Sequence, residues 1–324
     1  MADLIESMFY VNEIPWHGKG VPLKNPPSID DGLKLAGLDW KVDKYPTSYQ
    51  IPHLNSHFST GHYVIVRTDN YEVVGNVGER YTPLQNKDAF QPFEPMLDWG
   101  YTLETAGSID NGKRVWILAK APENLTVGDE TILPYVLLYT SHDGSTGNCF
   151  RDTLIRVVCN NTLEYALEKK GSYEYSIRHT TSVKDRIHEL RTSIEKSRGN
   201  VKEAVTKMNQ MMEHPFNENQ AGVYFEHVIP FLAHRGAKSD KDLGIKRRDV
   251  ATPVFEQLIN NFHSGRGNNG ESLWHAYNAI TEYYDHQKEY KDWVKATQFG
   301  KASDYKRRAF YMANQILNTN NIYA

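Results

Sequence analysis

The apolar residues of this chain keep two different periods, and the change between them near residue 180 limits the folds open to it. Upstream, short β-branched and aromatic runs recur: HYVIVRT (62–68), EVVGNVG (72–78), YTLETAGSI (101–109), RVWILAK (114–120), PYVLLYTS (134–141) and TLIRVV (153–158). Asp69-Asn70-Tyr71 and Asp110-Asn111-Gly112 separate neighbouring runs by a hairpin's length, and Asn70 tolerates a left-handed backbone. Downstream, Val183, Ile187, Leu190, Ile194, Val201, Ala204, Met208 and Met211 follow steps of four and three. That is a helical seam of coiled-coil type, interrupted at Gly199-Asn200. VFEQLINNFHS (254–264), SLWHAYNAITEYYDHQ (272–287) and residues 304–317 read as further helices.

Two more helices are expected among the strands. Residues 86–100 carry Phe90, Phe93, Met96 and Leu97 on one side behind Asn86 as cap, with Pro92 and Pro95 making the middle irregular. NNTLEYALEKKG (160–171) reads as a helix that starts at Asn160 or Asn161 and stops at Gly171. Hairpin, helix, antiparallel strands and a closing helix specify an α+β fold, an antiparallel sheet with helices on one face, followed by a mainly helical C-terminal region. The expected division is an irregular N-terminal segment over 1–60 packed on the core, an α+β core over 61–180 and a helical part over 181–324. The first is Pro- and Gly-rich over 1–30, with helical spacing (Ile29, Leu33, Leu35) from Ser28 to Leu38.

Composition removes several classes of function. No run of about 18 apolar residues spans a membrane. MADLIESMFYV has no basic start and acids break its apolar stretch, so it is not read as a signal peptide. Cys149 and Cys159 form neither a disulfide framework nor a CxxC metal site, and a cytoplasmic setting is expected. His53, His57 and His62 lie close together without a carboxylate or cysteine to complete a ligand set, so no metal is expected. The Gly-rich loop 264–270 lacks the Gly-Lys-Ser/Thr of a phosphate-binding loop. No cofactor is implied.

The densest polar chemistry lies in YTSHDGSTGNCFRDTLIRVVCNNTLEYA (139–166). Here His142, Asp143, Arg156 and Asn160 are the candidate catalytic residues. A helix beginning at Asn160 or Asn161 would offer free N–H groups to an anion, with Arg156 as a fixed cation. Consecutive antiparallel strands are expected to bring Arg156, Asn160 and Asn161 to His142-Asp143-Gly144. The plainer alternative makes the asparagines caps, Cys159 core and His142-Asp143-Gly144 a turn. Neither GxSxG, HExxH nor paired carboxylates at helical spacing occurs, so an enzyme is not the leading expectation.

Charge is unevenly spread beneath a net −3. Residues 1–170 hold 15 Lys/Arg against 22 Asp/Glu, and residues 171–324 hold 22 against 18. Basic residues cluster at 178–207, at Lys246-Arg247-Arg248 and in KASDYKRR (301–308). Phosphates need local clusters rather than overall charge. Lys113 and Arg114 are expected at a hairpin tip and Lys246, Arg247 and Arg248 in a loop after Gly244; with Arg156 they form the candidate nucleic-acid surface.

Six segments carry a family resemblance: PWHGKG (15–20), VGERYTPLQNKDAF (77–90), TAGSIDNGKRVW (105–116), SHDGS (141–145), IRVVCNNTL (155–163) and LWHAYNAITEYYDH (273–286). In these the chain resembles the phage/plasmid-like family of uncharacterised proteins of phages, prophages and plasmids. In element order it is also similar to single-strand annealing recombinases. That likeness implies rings or filaments of one chain that hold single-stranded DNA in a basic groove, without nucleotide hydrolysis. Two alternatives stand beside it: a nucleic-acid or small-molecule hydrolase using His142, Asp143, Arg156 and Asn160, and a host-takeover or counter-defence binding protein.

Overall fold

The computed structural model describes residues 5–11, 20–54, 56–156, 161–163, 174–232, 245–290, 296–297 and 300–319. Among these, the chain runs β1 (Ile5–Val11), β2 (Val21–Leu23), α1 (Ile29–Leu35), β3 (Val42–Ile51), β4 (Ser56–Arg67) and β5 (Val73–Val77). Next come α2 (Asn86–Phe90), α3 (Glu94–Asp98), β6 (Thr102–Ile109), β7 (Arg114–Lys120), β8 (Leu125–Val127), β9 (Glu130–Ser141) and β10 (Asn148–Arg156). Then follow β11 (Asn161–Leu163), β12 (Glu174–Ile177), α4 (Val183–Glu213), α5 (Glu218–Val228), α6 (Ile245–Ser264), α7 (Leu273–Glu282) and α8 (Lys301–Thr319). The fold is α+β, as the two periods require.

The described strands form two sheets where the sequence suggested one. The larger has the order β11-β10-β9-β7-β6-β1-β2, with β12 also on β10 and β8 on β9; the smaller is β3-β4-β5. All pairings are antiparallel except β1 with β2. Alternation along β7 and β9 sends Val115, Ile117, Ala119, Val136 and Leu138 to one face, where α1, α2 and α3 cover them with Ile29, Leu33, Phe90 and Met96. Trp116, Leu137 and Tyr139 take the opposite face with Met8 and Tyr10.

The described residues between 5 and 60 lie mostly in regular elements, and α1 stands where residues 28–38 read as a helix. β1 inserts between β6 and β2 and buries Phe9 and Val11. Composition does not reveal such a strand, because its partner, β6, lies about a hundred residues away. The start of the helix expected at 160–171 is a second correction. Asn161–Leu163 extends as a strand against β10, with Arg156 opposite Asn161. Its backbone groups serve a ladder, so no helix N-terminus opens there; residues 164–171 and Asn160 lie outside the described residues.

Other local expectations hold with changes of detail. In the β4–β5 turn, Tyr71 rather than Asn70 takes positive φ, at 62°. Asn70 instead accepts a hydrogen bond from the Glu72 N–H at 3.0 Å. The helical stretch 86–98 is two short α-helices joined by a 3₁₀ turn, Gln91–Phe93. α4 runs through Gly199-Asn200 without a break over 31 residues, burying Val201, Ala204, Met208 and Met211.

The C-terminal helices share a core with one end of the large sheet, where Val127, Ile132 and Leu154 meet Met208, Phe225, Trp274 and Phe310. Polar links fix the junction. Asn209 accepts from Gly128 N at 2.9 Å and donates to Thr126 O at 3.0 Å. Trp274 Nε1 donates to Glu130 at 3.0 Å. Within the helices, Lys306 of the KASDYKRR cluster is fully buried and paired with buried Asp285 at 2.8 Å, so that cluster is only partly surface charge. Among the described residues no helix is long and apolar enough to cross a membrane.

Candidate functional site

His142 follows the last residue of β9, and its N–H extends that strand's pairing by donating to Lys113 O at 2.7 Å. The side chain points inward, among residues that four separate elements supply. His142 Nε2 meets Asn86 Oδ1 at 2.8 Å, while Asn86 Nδ2 donates to Leu38 O at 2.9 Å. That amide orientation assigns the imidazole proton to Nε2. Nδ1 is then a bare acceptor, buried and without a hydrogen-bond partner. Trp40 sets its ring edge against the imidazole, centroids 5.2 Å apart.

A second buried imidazole stands beside the first. His179 Nε2 lies 2.9 Å from Thr140 Oγ1, and its ring stacks on Tyr81 at 5.0 Å. Tyr81 donates its hydroxyl to Ser141 O at 3.0 Å. Asn148, opening β10, donates to Ala89 O at 3.3 Å and leaves Oδ1 without a partner. Buried polar atoms without partners are few in native proteins and cost stability. Burial pushes His142 down to about 3, with His179 and Arg67 nearby adding to the effect. It also pushes His179 down to about 4. Both rings are therefore neutral at pH 7.

The backbone closes tightly around this centre. A Cβ on Gly75 would sit 2.3 Å from His142 O and 2.8 Å from Asp143 Cα, so β5 packs directly on the turn. Gly144 follows with φ of +76°, a conformation that suits glycine. Asp143 itself turns away, accepting from Ser145 N at 2.8 Å. Partial burial raises its pKa, but hydrogen bonds from Ser145 and Ser141 and the Arg114 charge outweigh that and leave the carboxyl below its ordinary value. His142 and Asp143 do not form a base–orienter pair.

Arg156 is not part of this centre. β9 and β10 run antiparallel, so Cys149 faces Tyr139 near the turn while Arg156 faces Ile132 at the far end. Nine residues of strand, about 30 Å, separate the two ends. The expectation of a shared polar centre placed the wrong end of β10 beside His142, because an antiparallel ladder joins the end of one strand to the start of the next. Asn161 accompanies Arg156 at the far end. Cys159 and Asn160 lie outside the described residues.

The basic candidates are spread out. Lys113 is exposed in the β6–β7 turn, whose Asp110, Asn111 and Gly112 all take positive φ. Arg114 beside it is half-buried, 3.9 Å from Asp110 and donating to Ser145 Oγ at 3.2 Å. Lys246, Arg247 and Arg248 belong to the first turn of α6 rather than to a loop. Arg67, which the sequence did not single out, is buried between Glu6 at 2.7 Å and Asp69 at 2.7 Å and lies 4.4 Å over the Trp40 ring. It ties β4 to β1 and is structural.

Trp40, which packs on His142, and His179 with its own partners Tyr81 and Thr140 went unnoticed. No spacing links residues drawn from 40 to 179; Asn86 was visible only as a helix cap. A cavity of about 40 Å³ between Pro122, Tyr135, Asp152 and Lys202 has room for a water or two, not a substrate. Among the described residues no group of three or more His, Cys, Asp or Glu side chains could hold a metal. No curated protein and no solved structure matches the chain. A model described as a domain of unknown function (DUF932) matches residues 73–310, from the start of β5 into α8. The match covers most of the sequence, and the chain belongs to the DUF932 family.

Proposed function

We propose that this chain binds single-stranded DNA and promotes its annealing, as an oligomer acting in phage or plasmid recombination or replication and without hydrolysing nucleotides. One observation carries the reading: the side chains that chemistry would need are used up in packing, whereas basic residues stand at the ends of elements. His142 is fully buried and neutral, so no substrate atom reaches it in this conformation. Asp143 is tied to its own turn, and Arg156 is a strand's length away. The hydrolase alternative therefore loses its constellation. Lys113, by contrast, projects from a hairpin tip, and Lys246, Arg247 and Arg248 follow one another along one helical turn. Such points contact phosphates without distorting the sheet. Lys113, Arg114 and Lys246-Arg247-Arg248 are the proposed phosphate contacts; Arg156 joins them only if the strand runs along β9.

The test is salt-dependent binding and annealing of complementary oligonucleotides, with particle imaging for rings or filaments. Each phosphate neutralised on a single strand adds about 0.7 to the log–log salt slope. Arg247→Ala with Arg248→Ala flattens that slope by about 1.4, if both touch phosphate, and weakens all sequences alike. Absence of binding by the wild type at low salt removes the reading. The host-takeover alternative would then be the one to pursue.

A further inference from the structure

Of the β3–β4 hairpin only its base, at Arg67, is near the His142 centre, and the hairpin precedes the family-matched segment. Its strands pair from Val42 and Arg67 out to Ile51 and Ser56. From Tyr45 to His62 every described residue is exposed except Thr47 and Ile51, which are half-buried. The outer half is thus an arm, wet on both sides, rather than a sheet laid on a core. Large apolar side chains are kept in water there: Tyr45 is 50% exposed, Tyr49 51% and Phe58 36%. Tyr49 and Phe58 face each other across the ladder with rings stacked at 5.6 Å. Tyr45 is on the same face as Tyr49, about 14 Å back along the strand.

The arm's charge indicates what covers it. Residues 44–68 contain no Asp or Glu, although 40 of the 324 residues are acidic and about three would be expected in such a stretch. The arm carries instead His53, His57 and His62 and a series of hydroxyls. Tyr45 at the base of the arm donates to Asp43 Oδ2 at 3.4 Å, but the Tyr49–Phe58 pair farther out stands in a stretch without carboxylates and offers π-faces to bases and no repulsion to the phosphates between them. Apart from its rings and Leu54, which is 52% exposed at the tip, the arm is polar, and a second copy of this chain, with a net charge of −3, has no such complementarity to it.

We infer that the β3–β4 arm is a base-stacking platform for single-stranded DNA, with Tyr49 and Phe58 taking bases. This rests on the single-strand reading above and adds the residues that contact bases rather than phosphates. Stacking and phosphate neutralisation leave different signatures. Loss of stacking lowers affinity by a similar factor at every salt concentration, whereas loss of a phosphate contact changes the slope.

The experiment measures anisotropy of a labelled oligo-dT across a salt series with the full chain, wild type and Tyr49→Ala/Phe58→Ala. The expected result is an affinity about tenfold or more lower, with the slope unchanged, and near-wild-type binding by Tyr49→Phe. A bromodeoxyuridine-substituted oligonucleotide is expected to photocross-link to the peptide spanning 45–63. Equal affinity of the double variant, or cross-links confined to other peptides, overturns the arm while leaving the wild type's own binding intact. No binding by the wild type at low salt removes the parent reading as well. Loss of the oligomer in the double variant, with strand affinity per chain retained, assigns the arm to self-association and overturns the inference. Clearly tighter binding of oligo-U than of oligo-dT overturns the assignment to DNA.

Discussion

Histidines occur in two opposite settings in this molecule. His142 and His179 lie behind the end of β9, fully enclosed and each with one ring nitrogen left unpartnered. His53, His57 and His62 stand on the β3–β4 arm in open solvent. The sequence drew attention to His142 through the density of its polar neighbours and passed over His179. Burial reverses the ranking: the dense cluster is an internal framework joining β9, Asn86, Trp40 and Tyr81, while the arm is the part a partner can touch. A polar cluster has functional meaning only once it is known to face outward.

This contrast can be broken most sharply with acid. Both buried imidazoles have folded pKa values below the ordinary 6.5, at about 3 and about 4. The unfolded chain therefore binds more protons across that interval, and stability rises with pH there. The contribution is complete above about pH 6.5 and is lost as pH falls toward 4. Each imidazole that must stay neutral at pH 5 costs about 2 kcal/mol, so the pair should account for about 4 kcal/mol. Urea denaturation between pH 7 and 5 measures it, and replacing either histidine by Gln should flatten the dependence. A pH-independent midpoint would show that neither ring is held neutral by burial.

The next effect is steric. Gly75→Ala places a Cβ 2.3 Å from a backbone carbonyl oxygen, where no side chain can move aside. Overpacking of this kind costs about 1–3 kcal/mol and occasionally more; here about 3 is expected, read as a lower urea midpoint. Wild-type stability would mean that β5 can retreat from the turn, and the centre would be looser than its contacts imply.

The smallest effect is expected on the arm. Tyr49→Ala with Phe58→Ala removes a cross-strand pair worth about 0.2–1 kcal/mol, and no core atom depends on it. Thermal unfolding should fall by only a few degrees. A loss of several kcal/mol would make the arm a structural element and erase its contrast with the buried centre.

The hairpin runs, the helix with Phe90, Phe93 and Met96 inward, and the seam at Val183 and from Val201 to Met211 were legible, because local periodicity and turn chemistry encode them. The α+β class followed from the change of period alone. What the sequence could not encode locally was pairing. β1 was hidden because one partner, β6, is remote and the other, β2, is only three residues long, and Asn161–Leu163 looked helical because a three-residue strand carries no period of its own. The same limit misplaced Arg156, whose neighbours depend on which end of β10 meets the turn. Exposure was equally out of reach. His142 and His57 are the same residue type, and only the packing of Gly75, Asn86 and Trp40 around one, and of nothing around the other, separates an enclosed imidazole from a surface one.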